Sequence, residues 1–262
     1  MLEAYTLYSG SSGNCIYVKG KDAQLLFDAG KSARAIQTAL ASINTDLSKI
    51  DAIFVTHEHG DHVGGLEMIS KKHRIPVHIT APSYANYVRE GTYLSQVAAV
   101  HDVVYGALVG GLKIYSFPIP HDAAQNVGYI IEDSDGDRVG IATDIGFVTE
   151  DIVKHLTGCP SVIIESNHDI KMVKSGPYPA FLKERILSKR GHLSNDECSR
   201  LCVHLAQNGT NHIGLAHLSR ENNTPLLAYS KTKDALNENG YGDVCLRVAS
   251  PESVVRVTGE AK

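Results

Sequence analysis

The stretch Ile53-Phe54-Val55-Thr56-His57-Glu58-His59-Gly60-Asp61-His62 decides how the rest of the chain reads. Its β-branched and aromatic start makes a short buried strand, which runs straight into three imidazoles and a carboxylate. His57 and His59, two apart, point the same way if the backbone stays extended. Asp61 and His62 follow on a turn that Gly60, Gly64 and Gly65 permit. Such crowding of polar donors at the end of an apolar strand is costly unless a cation offsets it. The HxHxDH spacing therefore reads as a metal-binding loop.

One loop supplies too few ligands for two metals, so further donors are expected at downstream strand ends. His121 ends the run Leu112–Ile119, Asp144 ends Val139–Thr143 and His217 ends Ile213–Ala216. In layered α/β proteins active-site groups sit where strands leave a sheet. Other apolar runs predict strands over Cys15–Val18, Gln24–Phe27, Ala52–Val55, Val77–Thr80, Leu112–Phe117, Tyr129–Glu132, Arg138–Thr143, Ser161–Ile164 and Ile213–Ala216. Asp133–Asp137 reads as a hairpin turn. Ser32 caps a helix whose apolar face carries Ile36, Leu40 and Ile43. A capping box at Ser194–Glu197 opens another through Cys198, Leu201, Cys202 and Leu205, ending before Gly209. Interleaved strands and helices predict a layered α/β protein, and no linker divides residues 1–262, so one domain is expected.

Composition bounds the rest. The 262 residues hold 25 Lys+Arg against 29 Asp+Glu, a net charge of −4, which excludes a surface that is basic throughout. A 43% hydrophobic and 21% charged chain is that of a folded globular protein. No apolar run reaches the roughly 20 residues of a membrane span. No basic-then-apolar leader is visible, and the five cysteines include no CxxC pair. Free thiols and a cytoplasmic location are the expectation.

HxHxDH followed by His, Asp and His, and preceded by the strand-end aspartate of Leu25-Leu26-Phe27-Asp28-Ala29-Gly30, resembles the metallo-β-lactamase superfamily. The resemblance spans nearly the whole chain and implies an αββα sandwich with two divalent metal ions at one edge. By that resemblance His57, His59 and His121 hold one ion and Asp61, His62 and His217 the other. Asp144 bridges them, and Asp28 steadies the ligand loop from behind. Zinc suits so many imidazoles, with manganese or iron as alternatives.

The superfamily hosts lactamases, thiolesterases, lactonases, phosphodiesterases and nucleases, so fold alone leaves the substrate open. Asp144 stands where several lactamases place a cysteine, which demotes lactamase chemistry. Gly191-His192-Leu193-Ser194 and His217-Leu218-Ser219-Arg220 resemble the nuclease branch, where the extra His and Arg handle the scissile phosphate. With Tyr8–Asn14 and Glu165-Ser166-Asn167-His168-Asp169, these motifs resemble the compact YycJ/WalJ-type exonucleases. The chain is too short for the large inserted domain of the RNA-degrading branch and shows no long Gly/Pro-rich exosite arm. The resemblance implies 5′→3′ hydrolysis of double-stranded DNA by a metal-bridged hydroxide.

In that scheme Asp61 orients the hydroxide or takes its proton. His192 contacts a non-bridging oxygen or protonates the leaving group, and Arg220 offsets developing charge. Asn14, His168 and Ser219 are expected beside the metals or the phosphate. Independently of family, residues 171–190 carry six Lys/Arg and one Glu, a local +5 that either tracks a nucleic-acid backbone or is a solvated helix face. Tyr178, framed by two prolines, either stacks on a base or packs. Two other functions stay open: a small-molecule metallohydrolase (cyclic or phosphonate diesters, or weak β-lactamase activity), and a non-catalytic, metal-stabilised regulatory module. No membrane partner is expected, and the oligomeric state is unassigned.

Overall fold

The computed structural model describes residues 1–89 and 91–259, so the single-domain span of 1–262 reaches past them at residues 90 and 260–262. The first half runs β1 (Glu3–Tyr8), β2 (Cys15–Lys19), β3 (Gln24–Phe27), α1 (Ala33–Ala41), β4 (Ala52–Phe54), α2 (Gly60–Val63), α3 (Leu66–His73), β5 (Val77–Thr80), α4 (Ala81–Arg89) and β6 (Val97–His101). The second continues with β7 (Gly106–Val109), β8 (Leu112–Ile119), β9 (Asn126–Glu132), β10 (Arg138–Ala142), α5 (Glu150–Leu156), β11 (Ser161–Glu165), α6 (Ile170–Ser175), α7 (Ala180–Ile186), α8 (Asn195–Gln207), β12 (His212–Ala216), α9 (Pro225–Glu238), β13 (Cys245–Val248) and β14 (Val255–Arg256).

Two mixed sheets result, in the orders β14-β1-β2-β3-β4-β5-β6 and β13-β12-β11-β10-β9-β8-β7. The same succession of directions occurs in each. β1, β2 and β3 are antiparallel and β3 to β6 parallel, just as β8, β9 and β10 are antiparallel and β10 to β13 parallel. Two-residue alternation sorts each strand between layers. Phe27, Phe54 and Ile163 point into the core shared by the sheets, whereas Leu26, Ile53 and Val55 pack under α1 and α3. Val162 and Ile164 pack under α5 and α8 on the other side. The result is the αββα sandwich. Phe27, Phe54 and Tyr129 lock its middle with ring centroids 5.2–5.7 Å apart, and the Tyr129 hydroxyl donates to the Val55 carbonyl at 2.7 Å.

The predicted strands are all present, with β4 ending one residue early at Phe54 and β9 starting earlier at Asn126. β1, β6, β7, β13 and β14 were not expected. Four of these, β6, β7, β13 and β14, are the sheet edges and β1 lies next to one; the edge strands are short and partly solvated, so their sequences carry little of the buried-strand pattern. The Ser32 and Ser194 caps form as read, and the Ser194 hydroxyl, which accepts from Glu197 N, donates to the Glu197 carboxylate in place of the backbone N–H that a capping box would use. Ile43 lies beyond the end of α1.

Residues just past the parallel strands converge on one edge of the sandwich. Three of them, Asp28 after β3, Asp144 after β10 and His217 after β12, take left-handed φ values of 62°, 59° and 54°. Non-glycine residues rarely do so, and the turn swings each side chain off its strand direction. Of the loop glycines, Gly65 is demanded because a Cβ would lie 1.9 Å from the Lys31 carbonyl. Gly60, expected to be needed for the tight path, has open space around it. Gly30→Ala would set a Cβ 1.7 Å from the Asp61 carbonyl oxygen, and should lower the urea-unfolding free energy by at least about 3 kcal/mol. Gly60→Ala should change it by no more than about 1 kcal/mol, toward greater stability.

Candidate metal centre

Donor atoms of His57, His59 and His121 lie within 4.8 Å of one another, as do those of Asp61, His62 and His217. These two triads share no residue. Asp144 lies between them, with Oδ2 3.2 Å from His62 Nε2, and Oδ1 3.3 Å from His217 Nδ1 and 3.8 Å from His121 Nε2. All seven residues expected to form the centre are brought together here.

The rings are aimed by what holds their other nitrogen. His62 Nδ1 donates to Asp28 Oδ2 at 2.8 Å. The Thr56 hydroxyl also donates to that oxygen, at 2.8 Å, so it can only accept from His57 Nδ1, 3.0 Å away. His121 Nδ1 donates to the Gly191 carbonyl at 3.0 Å, and His217 Nδ1 to Glu165 Oε1 at 2.8 Å. Each Nε2 is thereby left with a lone pair for the centre, the arrangement that outer hydrogen bonds impose on metal-binding histidines. His57 Nε2, His217 Nε2 and Asp144 Oδ2 are buried without a hydrogen bond among the described residues. Orphaned buried polar atoms are costly, and a nitrogen-and-carboxylate set of this kind fits divalent cations.

The electrostatics agree. Burial works against a charged His62, but Asp144 and Asp28 outweigh it and hold the imidazole well above its usual range. Burial also opposes charge on His217, yet Asp144, Asp61 and Glu165 push it up to about 10. Burial disfavours the Asp144 carboxylate, but His217 and His62 hold it well below its ordinary value. Without metal, protons take the place of the positive charge this site requires.

Glu165 is a residue whose role the sequence reading missed. It is fully buried at the end of β11, and its Oε1 accepts from both His192 Nδ1 (2.9 Å) and His217 Nδ1 (2.8 Å). Its Oε2 accepts from Ile145 N at 2.7 Å and Leu193 N at 2.9 Å. The available signal was a lone carboxylate closing the apolar run Ser161–Ile164. His192, partly exposed, has its proton affinity lowered by burial but raised further by Glu165, for a net upward shift.

Asn14 lies where expected: its Nδ2 donates to Asp61 Oδ2 at 3.2 Å and lies 3.0 Å from His62 Nε2. Ser219 shares a pocket with His192, and four residues of the basic segment, Tyr178, Leu182, Arg185 and Ile186, line it too. That segment therefore flanks the centre. Arg220 is exposed and donates to the Ser12 hydroxyl at 3.1 Å, to which Lys31 also donates at 3.1 Å. His168 is buried, 1% exposed, and stands outside the donor groups. Cys198 and Cys202 lie on the buried face of α8, as the apolar spacing indicated.

A four-layer sandwich with histidine and aspartate donors at its strand ends defines a metal-dependent hydrolase of the β-lactamase type. A family model, described as a beta-lactamase superfamily domain, matches residues 23–218, and the chain belongs to that superfamily. Within it the chain is 32% identical over 243 residues to exodeoxyribonuclease YycJ of Bacillus anthracis, covering 90% of this chain and 89% of that protein. It is also 32% identical over 259 residues to exodeoxyribonuclease WalJ of Streptococcus pneumoniae, covering 96% of each. The metallo-beta-lactamase fold protein YhfI from Bacillus subtilis shares the fold, with a TM-score of 0.71 at 14% identity, over 97% of this chain and 99% of that one. No helix among the described residues is long and apolar enough to cross a membrane.

The raised histidines fix how the metal-stripped protein responds to pH. A folded-state value above the unfolded 6.5 contributes stability that is complete below 6.5 and lost as pH rises toward about 10, the value for His217. Glu165, pushed up by burial but pulled further down by His192 and His217 to about 2 from an ordinary 4.5, contributes above 4.5 and loses its share toward pH 2. Urea midpoints of the chelated protein should therefore peak between about pH 4.5 and 6.5 and fall on the alkaline side, and added zinc should flatten that fall. Glu165→Gln should weaken zinc binding about 10- to 100-fold in a competition titration, because it loosens His217.

Proposed function

We propose that the protein is a dinuclear-metal phosphodiesterase acting as a DNA exonuclease, within a single domain in the cytoplasm. The observation that carries the nucleic-acid reading is the basic segment 171–190. Its Tyr178, Leu182, Arg185 and Ile186 wall the pocket that holds His192, with Arg185 paired to Asp122, so the +5 stretch reaches the metal centre at this end and carries its other five cations away from the pocket wall, on a chain whose net charge is −4. Small neutral substrates need no such flank. The naming of YycJ and WalJ as exodeoxyribonucleases supports DNA as the substrate; cleavage of double strands in the 5′→3′ direction is the specific form we assign from the motif resemblance.

His57, His59 and His121 would hold one divalent ion and Asp61, His62 and His217 the other, with Asp144 shared. Bound there, zinc, or manganese or iron, lowers the pKa of water toward neutrality and polarises phosphoryl oxygens. The chain's own groups do the rest. Asp61, its carboxylate steadied by Asn14, takes the proton of the attacking water. Glu165 holds His192 by its Nδ1, so the imidazolium presents Nε2 to the phosphate and gives a proton to the departing oxygen. Arg220 and the Ser12 loop lie at the rim to receive phosphate charge.

Asp61→Ala and His59→Ala should each lower hydrolysis of end-labelled duplex DNA and of bis-p-nitrophenyl phosphate by at least about a thousandfold, measured on metal-reconstituted protein. Activity retained by both variants would defeat the mechanism. Replacing Lys171, Lys174 and Lys183 with Ala should weaken DNA binding and reduce the salt slope of log K by up to about three, if all three meet phosphates. An unchanged slope would remove the segment from the binding track.

A further inference from the structure

The pocket between α7 and His192 has a volume of about 160 Å³, and the hydrolytic chemistry alone does not need it. An apolar cavity of about 150 Å³ holds one benzene ring, so this space seats one six-membered ring, and a second ring would project from its open side. One side is largely apolar: α7 buries none of its residues, its Leu182 and Ile186 line the pocket beside the half-buried Tyr178, and its Arg185, which also lines it, is paired with Asp122. The other side is polar. Asn167 commits its Nδ2 to the His217 carbonyl at 2.8 Å, so its Oδ1 remains to accept. The Ser219 hydroxyl accepts from Asn222 N at 3.2 Å and keeps its proton to donate. A flat ring with an apolar face and a hydrogen-bonding edge matches these walls, and His192 places it next to the reacting phosphate.

We infer that this pocket receives the base of the nucleotide adjoining the scissile phosphate, and that it favours single-ring pyrimidines over purines. The inference rests on the phosphodiesterase reading above and adds substrate specificity to it. Tyr178 supplies the stacking face, and Leu182 and Ile186 contact a single ring, while a purine's second ring would extend beyond them toward solvent.

The test uses zinc-loaded protein and duplexes that differ only in the terminal nucleotide, with thymidine and deoxyadenosine monophosphate binding measured by calorimetry in parallel. Pyrimidine ends should be cut with a kcat/KM about tenfold higher, and thymidine monophosphate should bind more tightly than its adenine counterpart. Tyr178→Ala should erase both differences and Tyr178→Phe should keep them, while Leu182→Trp, which fills the space, should erase them again. Equal cleavage of all four ends would overturn the inference and leave the nuclease reading intact. A preference that survived Tyr178→Ala and Leu182→Trp would overturn it as well. Should no DNA be cut, the nuclease reading falls instead, and equal binding of the two nucleotides would then dispose of the pocket's role.

Discussion

Asp28, Asp144 and Glu165 are held in the interior at 3%, 2% and 0% exposure, and a protein interior does not keep three carboxylates without compensating charge. How each is satisfied separates their roles. Asp28 accepts from Thr56 N, the Thr56 hydroxyl and His62 Nδ1, all at 2.8 Å, and Glu165 accepts from four donors. Both are fully occupied with positioning. Asp144 Oδ2 has no hydrogen bond among the described residues, though Asp144 lies between the two donor triads. The open carboxylate is therefore the one available to an incoming cation, and the closed ones fix the imidazoles around it.

The duplicated strand order explains how such a site is assembled. Asp28 follows β3 and Asp144 follows β10, topologically corresponding strands, with φ values only a few degrees apart. Each half of the sandwich thus delivers an aspartate to the same edge through the same left-handed turn. Neighbouring strands then diverge: β4 leads into the HxHxDH loop, whereas its counterpart β11 ends in Glu165. The first half brings His57, His59, Asp61 and His62, aimed by Asp28, and the second brings His121, Asp144 and His217, aimed in part by Glu165.

Much of this was legible beforehand, for physical reasons. Strands buried on both faces need unbroken aliphatic runs, so nine could be read directly, and HxHxDH is too costly a grouping to lack a cation. Strands such as β6 and β7 alternate half-exposed residues at a sheet edge, and two-residue β14 leaves almost no pattern. Glu165 escaped because a glutamate after a strand is ordinarily solvated. Only the fold reveals that four donors from distant segments close on it. His168, expected beside the phosphate or behind the ligands, is buried and pairs through its backbone with Ser194, next to the loop that carries His192. Gly60 differs from its reading: motif position made it look necessary, yet nothing crowds it.

Glu165 Oε1 is one atom with two imidazole donors, and this has an electronic consequence. The oxygen offers a lone pair to each ring, yet both hydrogen bonds draw on the same carboxylate charge, so strengthening one weakens the other. When His192 carries its proton, it draws density away from His217 and makes that ring a poorer electron donor. When His192 surrenders the proton, the carboxylate turns back toward His217 and enriches it. The two rings therefore report each other's state through a single oxygen, so charge leaving one side of the cleft is felt on the other without any movement of the backbone.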